Sequence, residues 1–376
     1  MDPAELSQGA ALRSVELDFD ELIRLAVWHG IAPLLASHLE SLAGRISEPA
    51  STRLQQLQRQ VLLHNLRLST HLIQILKTLE ARNIPSIPFK GPLLSERLYG
   101  NVALRQCSDL DLLVRPEDLP LSLAALQTMG FESEHALRPE LIAALVATDF
   151  EITLIRDGVH LDLHWDVMPP FYGIAFGLNA AWQRARRTKT AGAQILEFAP
   201  EDLFLALALH ASKHFWAKLI WLSDLRQLLQ ASPIFDWGVL LERARCMRVE
   251  RILLITLALL QDVFDCRAPL APAMLEDLRA RNGDWYLTYE TARDNLCSTN
   301  PEIEGLRTYC FFLRMRDRRF DAVRQVIRHA TTPASAELFM TNRSFPALFY
   351  LPLHLWRLMA RFFFFVWHPP SNNRRC

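Results

Sequence analysis

Two aspartates separated by a single residue are the first feature of this sequence that could support catalysis. Asp109 and Asp111 lie in the apolar segment 109–115, whose leucine and valine content predicts a β-strand. Side chains two positions apart in a strand project from the same face, so both carboxylates are expected to point together. Burying adjacent carboxylates is costly unless a cation compensates. The pattern therefore predicts a Mg²⁺ site, with a solvated strand edge as the alternative.

A turn between a predicted strand and a predicted helix precedes the aspartates. Segment 84–90 predicts a short strand that carries prolines, and Gly91 opens a helix that should reach Tyr99. Glycine lets a ligand approach the backbone closely, and a helix N-terminus presents free amide groups to phosphate. Lys90 could add positive charge. Pro92 removes one amide donor, so a phosphate cradle here must be built without it.

Other polar residues could extend the site. Arg105 precedes the first aspartate by four residues and could bind triphosphate oxygens through bidentate hydrogen bonds, or form a salt bridge to a core acid. A later hairpin is predicted at 150–155 and 159–167, joined by an Asp-Gly turn. Its residues Asp162, His164 and Asp166 alternate and so share a face. His164 could support an acid, contact substrate or be a hydrogen-bonded structural histidine.

Helical residues further along could line the same cleft. His210 and His214 are four residues apart on a predicted helix, a spacing that can bind zinc. No accompanying Glu-x-x-His or cysteine ligand supports zinc, so a cleft-lining or packing role is favoured. Lys213 could reach a nucleotide or acceptor, or be a solvated lysine.

The bulk composition narrows the functional classes. The length of 376 residues predicts two or three packed units, and 41 Lys plus Arg against 41 Asp plus Glu leaves no overall basic field for nucleic acid. The six cysteines form no C-x-x-C pair, which argues against a zinc ribbon or a disulfide framework. The N-terminus lacks a signal-peptide pattern, so a cytoplasmic protein is expected.

Hydrophobic periodicity divides the chain into an N-terminal helical section (1–82), an α/β core (83–170) and a C-terminal helical domain (171–376). The core should run strand, helix, strand, helix, strand, strand. The main predicted helices outside it are a short pair within 18–42, a long helix at 51–82, and helices at 201–217, 219–230, 237–247 and 249–264.

The aromatic segment 345–367 is long enough to span a bilayer, but two prolines and two arginines interrupt it. A packed or interfacial helix is therefore favoured, with a peripheral membrane or protein contact as its role.

These motifs together resemble the DNA polymerase β-like nucleotidyltransferases, in particular the branch of uncharacterised bacterial nucleotidyltransferases. The core segments that carry the resemblance are Phe89-Lys90-Gly91, Leu98-Tyr99-Gly100, Leu104-Arg105, Ser108-Asp109-Leu110-Asp111-Leu112-Leu113-Val114 and Met129-Gly130-Phe131. Outside them, Trp28-His29-Gly30, Leu161-Asp162-Leu163-His164-Trp165, His210, Lys213-His214, Trp221 and Asp224 also fit. The resemblance covers most of residues 20–365. It implies an α+β fold in which a small mixed sheet with helices, the palm, lies between the two helical parts.

The resemblance also implies a division of labour among the residues. Asp109 and Asp111 would hold two Mg²⁺ ions, and a third carboxylate would come from a neighbouring strand. Asp162 is the matching position, with Asp166 and Glu151 as alternatives. The residues assigned to the nucleotide are Lys90, Gly91, Arg105, Ser108 and Lys213. Relatives usually carry Gly-Ser or Gly-Gly at the turn where this chain has Lys-Gly-Pro.

The function implied is transfer of a nucleoside monophosphate from a triphosphate, with ATP as the expected donor, and release of pyrophosphate. The acceptor would be a small molecule, a peptide or a protein, because near charge neutrality argues against long nucleic acid. The alternatives are a non-catalytic protein that acts through partner binding and an antitoxin that modifies its toxin.

Overall fold

The computed structural model describes residues 18–40, 47–135, 137–190, 193–298 and 306–332, together with Pro352 and Trp356. Its helices surround a five-stranded mixed sheet, so the expected α+β fold is confirmed. No helix within these residues is long and apolar enough to cross a bilayer. The aromatic segment 345–367, apart from the two single residues, lies outside the described part of the chain.

Three helices form the described part of the N-terminal section: α1 (Phe19–Trp28), α2 (Ala32–Glu40) and α3 (Glu48–Glu80). Helix α1 begins after Asp18, whose side chain accepts hydrogen bonds from the first free amides of the helix. Helix α3 buries its apolar stripe against the sheet, as its periodicity predicts. The predicted helical pair and the long helix are both confirmed, with ends shifted by a few residues.

The central sheet has the order β1-β2-β5-β4-β3. Its elements along the chain are β1 (Ser86–Pro88), α4 (Gly91–Tyr99), β2 (Leu110–Val114), α5 (Leu119–Thr128), β3 (Glu132–Ser133), α6 (Pro139–Thr148), β4 (Glu151–Arg156) and β5 (Val159–His164). Strands β2 and β5 are parallel, and the other pairs are antiparallel. Edge strand β1 tolerates its proline because one side needs no ladder hydrogen bonds. Helix α6 and the short β3 were not predicted.

The two faces of the sheet have different roles. On one face, the apolar residues of β2 and β5 pack with α3 and α5; they are Leu110, Leu112, Val114, Leu161 and Leu163. Alternation along the strands then places Asp111 and Asp162 on the opposite face. That face looks toward the C-terminal helices.

The C-terminal part begins with α7 (Leu178–Arg184), β6 (Arg186–Thr190) and β7 (Ala193–Glu197). The helices after it are α8 (Pro200–Lys213), α9 (Leu219–Ala231), α10 (Trp237–Met247), α11 (Glu250–Phe264), α12 (Pro272–Arg281), α13 (Trp285–Cys297), α14 (Leu306–Arg314) and α15 (Arg319–Thr331). The β6–β7 hairpin lies in a region expected to be helical, and β7 packs beside β1. The chain therefore contains β-structure beyond residue 170, which was the predicted end of the α/β core.

The predicted helix 201–217 ends earlier than expected. Helix α8 stops at Lys213, and the next residues Phe215 and Trp216 adopt left-handed backbone conformations, with φ of 59° and 52°. Trp216 is fully buried, and its indole Nε1 donates to Thr256 Oγ1 at 3.1 Å. Core packing of this one side chain outweighs local helix propensity.

Candidate active site

The two strands that carry the acidic residues place them side by side. In the parallel pairing of β2 with β5, Asp111 is directly opposite Asp162. The next strand adds Thr153, whose hydroxyl donates to Asp162 Oδ1 at 2.6 Å. This row of polar residues crosses three strands on the face turned away from the apolar core. Asp162 is therefore held in orientation by a neighbour that the sequence did not suggest.

Three residues bring possible metal ligands close together. One donor atom each from Asp111, Asp162 and His164 lies within 4.8 Å of the others; Asp111 and His164 are buried and Asp162 is half-buried. His164 Nε2 is 3.2 Å from Asp111 Oδ1. Asp109 lies just before β2 and is half-buried. Burial and the charge of Asp111 raise the pKa of Asp109, and Lys90 opposes that shift.

Lys90 provides a positive charge within the acidic cluster. Its ammonium forms a close ion pair with Asp111 Oδ1, and both side chains are buried. Burial alone would raise the pKa of Asp111, but Lys90 and His164 hold it well below the usual range. Lys90 Nζ is also 3.3 Å from His210 Nδ1. Burial, reinforced by Lys90, keeps the pKa of His210 far below its usual value, so the neutral ring can accept this hydrogen bond.

The other candidate acids occupy supporting positions. Glu151 Oε2 lies 3.2 Å from His164 Nδ1, on the side of the ring away from Asp111. Asp166 accepts a hydrogen bond from the Val167 amide at 2.6 Å. Among the described residues, neither Glu151 nor Asp166 belongs to the group of side chains that could hold a metal ion. Asp162 is the acid that the fold places opposite Asp111.

Arg105 is held by a buried acid of the C-terminal part. Its Nε and Nη2 atoms each approach Asp224 at 2.9 Å, and the Tyr99 hydroxyl donates to the same carboxylate at 2.9 Å. The backbone oxygen of Arg105 accepts from buried Asn65 Nδ2 at 2.8 Å. The sequence left two roles for Arg105, which were phosphate binding and a salt bridge to a core acid. The structure shows a salt bridge, but its partner is Asp224 and not one of the acids clustered on the sheet face.

The turn at Gly91 sits directly beside the first aspartate. Gly91 has a φ of +76°, and a β-carbon there would lie 3.4 Å from the backbone oxygen of Asp109. The N-terminus of α4 has no side-chain cap, so its first amides keep their hydrogen-bonding capacity. Ser108 is exposed, and its side chain acts to lower the pKa of Asp109. These residues form one continuous surface next to the carboxylates.

A cleft of about 270 Å³ opens above these residues. Its floor includes Lys90, Asp109 and Asp111, and its far wall includes Lys218 and Trp221 of the C-terminal part. Val27 and Gly30 of the N-terminal section line it as well. All three parts of the chain thus contribute to one cavity.

The helical residues predicted near the site divide between two positions. The rings of His210 and His214 meet edge to face near Trp221, with centroids 4.9 Å apart, and neither belongs to the group of side chains that could hold a metal ion. Lys213 lies over the Phe150 ring at 4.7 Å. Burial lowers the pKa of Lys213, and nearby Glu151 partly raises it again. Lys213 is therefore on the Glu151 side of the cluster, away from the cleft wall.

The family of the chain follows from its sequence. A family model described as "Uncharacterised nucleotidyltransferase" matches residues 16–265, which is more than half of the chain. The chain belongs to this family. No curated protein matches the sequence significantly.

Three solved structures are similar to this nucleotidyltransferase family member. The solution structure of the antibiotic-resistance factor ANT(2'')-Ia has 16% identity and a TM-score of 0.32, covering 50% of this chain and 91% of that one. The crystal structure of ANT(2'')-Ia in complex with adenylyl-2''-tobramycin has 16% identity and a TM-score of 0.31, covering 48% and 95%. An antigenic nucleotidyltransferase-like protein from Paracoccidioides brasiliensis has 17% identity and a TM-score of 0.30, covering 60% and 93%.

Several residues of the candidate site in this nucleotidyltransferase family member had no signal in the sequence. Thr153 orients Asp162 only because β4 pairs with β5 in one register. Asn65 is a polar residue within the apolar stripe of α3, which is the one hint of its buried hydrogen bonds. Lys218 lies over the Trp28 ring at 5.6 Å, a contact between segments far apart in the chain. Such pairings depend on tertiary structure.

Proposed function

We propose that this protein transfers a nucleoside monophosphate from a nucleoside triphosphate to a hydroxyl, phosphate or side-chain acceptor and releases pyrophosphate. The observation that carries the proposal is the alignment of Asp111 with Asp162 on neighbouring strands. Asp111 and Asp109 also line a cleft next to the uncapped N-terminus of α4. Clustered carboxylates beside free amides suit a metal-bound triphosphate.

The donor atoms of the site fit Mg²⁺. Asp109, Asp111 and Asp162 would supply carboxylate oxygens, the ligands this ion prefers, while His164 would serve better as a support for Asp111. Bound Mg²⁺ would neutralise charge on the triphosphate and favour ionisation of the attacking hydroxyl. Thr153 fixes the orientation of Asp162 by its hydrogen bond. Partners of this kind commonly strengthen metal sites.

Cations around the cluster would bind the phosphates. Lys90 is within reach of the turn at Gly91, and its ammonium can pass from Asp111 to a phosphate oxygen once the carboxylate has another cation. Lys213 approaches from the Glu151 side. Because Arg105 forms a salt bridge with Asp224, we assign its main role to stabilising the cleft wall and a secondary role to phosphate binding. Ser108 would complete the rim of the cleft beside these cations.

The acceptor would enter through the cleft, because its wall is built from all three parts of the chain. A cavity of about 270 Å³ would enclose part of a nucleotide, and the acceptor would meet the nucleotide at the open mouth. We propose ATP as donor, a small molecule, peptide or protein side chain as acceptor, and the cytoplasm as the location. The segment 345–367 would make a peripheral contact with a membrane or a protein.

The proposal is tested by following an α-labelled triphosphate. Purified protein with Mg²⁺, each of the four labelled triphosphates and cell extract should release pyrophosphate and label one acceptor. The double variant Asp109→Ala, Asp111→Ala should lose at least about a hundredfold of this activity, since even supporting partners of metal ligands contribute about 10–100-fold. Glu117→Gln, a change of an exposed acid outside the site, should retain it.

Binding can be measured separately from turnover. A ligand that binds only the folded state raises the melting temperature, by an amount equivalent to about 2.7 kcal/mol at a hundred times its dissociation constant. Mg²⁺ with a non-hydrolysable triphosphate should therefore stabilise the wild type but not the double variant. Stabilisation without labelling of any acceptor would favour a role in partner binding, and unchanged turnover in the double variant would refute the metal-site assignment.

A further inference from the structure

Helix α15 presents its apolar side to solvent. Phe320, Val323, Val326 and Ile327 recur at helical spacing and are 71%, 54%, 41% and 57% exposed. The opposite side of the helix is polar and buried: Asp321 and Gln325 are only 4% and 1% exposed. An ordinary surface helix of a globular protein has the reverse arrangement. The exposed residues therefore form a continuous stripe rather than scattered surface side chains.

The inward direction of the polar side is fixed by a specific contact. Asp321 Oδ1 accepts a hydrogen bond from Arg248 Nη1 at 2.6 Å, at the end of α10. Rotating the helix to bury its apolar stripe would remove Asp321 from this partner and expose a different face to Arg248. The orientation of α15 is thus stabilised by an ion pair whose carboxylate is buried and whose guanidinium is partly exposed, and in this orientation the apolar stripe faces outward.

The exposed face also carries positive charge. Arg319 and Arg324 flank the stripe, and both are exposed. The charge balance of the sequence changes in the same region, since residues 318–376 contain nine arginines and two acidic residues, whereas the whole chain is balanced at 41 and 41. The arginines are Arg318, Arg319, Arg324, Arg328, Arg343, Arg357, Arg361, Arg374 and Arg375; the acids are Asp321 and Glu337. A counter-surface for this region must be negatively charged.

We propose that the exposed face of α15, defined by Phe320, Val323, Val326 and Ile327 with Arg319 and Arg324, docks on the anionic surface of a lipid bilayer. A helix with an apolar face and flanking arginines lies in the membrane interface, with its apolar side chains in the headgroup and acyl boundary. Its thirteen residues extend about 20 Å, at roughly 1.5 Å per residue.

A second signal in the sequence favours a membrane over an acidic protein. One weak anchor gives only marginal, reversible binding, and stable attachment needs two. Segment 339–376 follows α15 in the chain, contains no acidic residue and is rich in Phe and Trp, the side chains that membrane interfaces accommodate. An anionic membrane surface would therefore suit both the stripe and the sequence that follows it. The proposal does not depend on the chemistry of the nucleotidyltransferase site.

Sedimentation with lipid vesicles tests the proposal on the full chain. The protein should bind vesicles of phosphatidylcholine containing phosphatidylserine at least about tenfold more strongly than phosphatidylcholine alone, and less at high salt because screening weakens exposed charges. The double variant Phe320→Ser, Ile327→Ser should reduce binding to the anionic vesicles by at least about tenfold. Arg319→Gln with Arg324→Gln should remove much of the preference for phosphatidylserine.

A matched control replaces an exposed isoleucine elsewhere. Ile234, which is 90% exposed after α9, can be changed to serine without altering the stripe, and Ile234→Ser should bind vesicles as the wild type does. Equal binding of wild type to neutral and anionic vesicles, or wild-type binding by the Phe320→Ser, Ile327→Ser variant, would overturn the proposal.

Other occupants of the stripe give distinct results. If a second copy covers it, the wild type is a dimer without lipid and the double serine variant is a monomer. If another segment of the same chain covers the stripe, the Phe320→Ser, Ile327→Ser variant has a much lower melting temperature than the wild type. Either result contradicts membrane docking, which requires a stripe free in the lipid-free protein and an unchanged melting temperature in the variant.

Discussion

Lys90 and a divalent metal ion would compete for the same carboxylate. The ammonium contacts Asp111 Oδ1, the oxygen that also faces His164. Methionine has a similar length and no charge, so Lys90→Met leaves the buried carboxylate open to an incoming cation. Opposite charges a few Å apart attract by about 4 kcal/mol at an effective dielectric near 20. Much of this is offset by solvation, and we expect Lys90→Met to tighten Mn²⁺ binding, without triphosphate, by at least about tenfold.

Isothermal titration with Mn²⁺ measures this change directly. Lys218→Met is the control, since Lys218 lies on the far wall over Trp28 and has no contact with Asp111 among the described residues. Its affinity for Mn²⁺ should match the wild type. Weaker or equal binding in Lys90→Met would show that the ammonium supports the metal site instead of competing for it.

Thr153 tests whether Asp162 is a metal ligand. Its hydroxyl donates to Asp162 Oδ1 at 2.6 Å, and valine keeps the shape of threonine without this donor. We expect Thr153→Val to weaken Mn²⁺ binding about 10–100-fold, as for other residues that orient a ligand. The melting temperature should change little, because Thr153 is exposed. Thr188→Val on β6 serves as the control, and unchanged Mn²⁺ affinity in Thr153→Val would remove Asp162 from the proposed ligands.

Residue spacing predicted part of the site. Asp109 and Asp111 follow from alternation along one strand, and Asp162 from the resemblance of its motif. The partner of Arg105 does not follow, since Asp224 lies 119 residues further along the chain. The role of Lys90 as the counter-charge of Asp111 also depends on how the turn sits against β2.

At the scale of elements, Gly91 sets the geometry of the strand-to-helix turn. Alanine at its left-handed conformation costs about 1–2 kcal/mol, and its β-carbon would meet the Asp109 carbonyl at 3.4 Å. We expect Gly91→Ala to lower stability by about that amount and also to weaken triphosphate binding, because the added methyl group would occupy the surface beside Asp109 where a phosphate would approach the turn. Urea unfolding and triphosphate titration measure the two effects.

Gly100→Ala is the matched control for the energetic cost of alanine in a left-handed backbone conformation. Gly100 has a similar φ of +67° at the end of α4, and no atom of the described residues lies within 4 Å of a β-carbon there. Gly100→Ala should lose comparable stability while keeping triphosphate affinity. If both variants bind triphosphate equally well, close approach at Gly91 is unimportant for the nucleotide.

The elements around the sheet were largely predictable because their periodicity is strong. Strands β2, β4 and β5 and helices α3, α10 and α11 lie within a few residues of their predicted bounds. The β6–β7 hairpin was not predicted, since β6 is rich in polar residues and the packing of β7 beside β1 is a contact that no local pattern indicates. The end of α8 depends on the buried Trp216, which no local pattern could indicate.

At the scale of the whole molecule, the N-terminal helices close the cleft by contacting α9. The backbone oxygen of His29 accepts from the Ile220 amide at 3.1 Å, and His29 Nδ1 lies 3.4 Å from the Leu219 amide. A β-carbon on Gly30 would approach Ile220 Cγ2 at 3.1 Å, so the two segments meet closely. The assembly of three parts around one cavity arises from these long-range contacts, which the sequence does not reveal.

The His29 contact makes the stability of this arrangement depend on pH. Burial lowers the pKa of His29 from its ordinary value of 6.5, and the positive charge of Lys218 lowers it further. Below pH 6.5 the unfolded chain therefore binds more protons at this position than the folded protein, so stability falls as pH decreases. A protonated ring would also present an N–H to the Leu219 amide instead of an acceptor.

Thermal unfolding between pH 8 and pH 5 would detect this loss. Asparagine can place its side-chain oxygen near the position of Nδ1 and does not titrate, so His29→Asn should be less stable at pH 8 but lose less stability than the wild type on acidification. The exposed His64 is the control, and His64→Asn should follow the wild-type profile. A wild-type profile as flat as that of His29→Asn would contradict the prediction, because it would mean that the His29 ring titrates alike in the folded and unfolded chains.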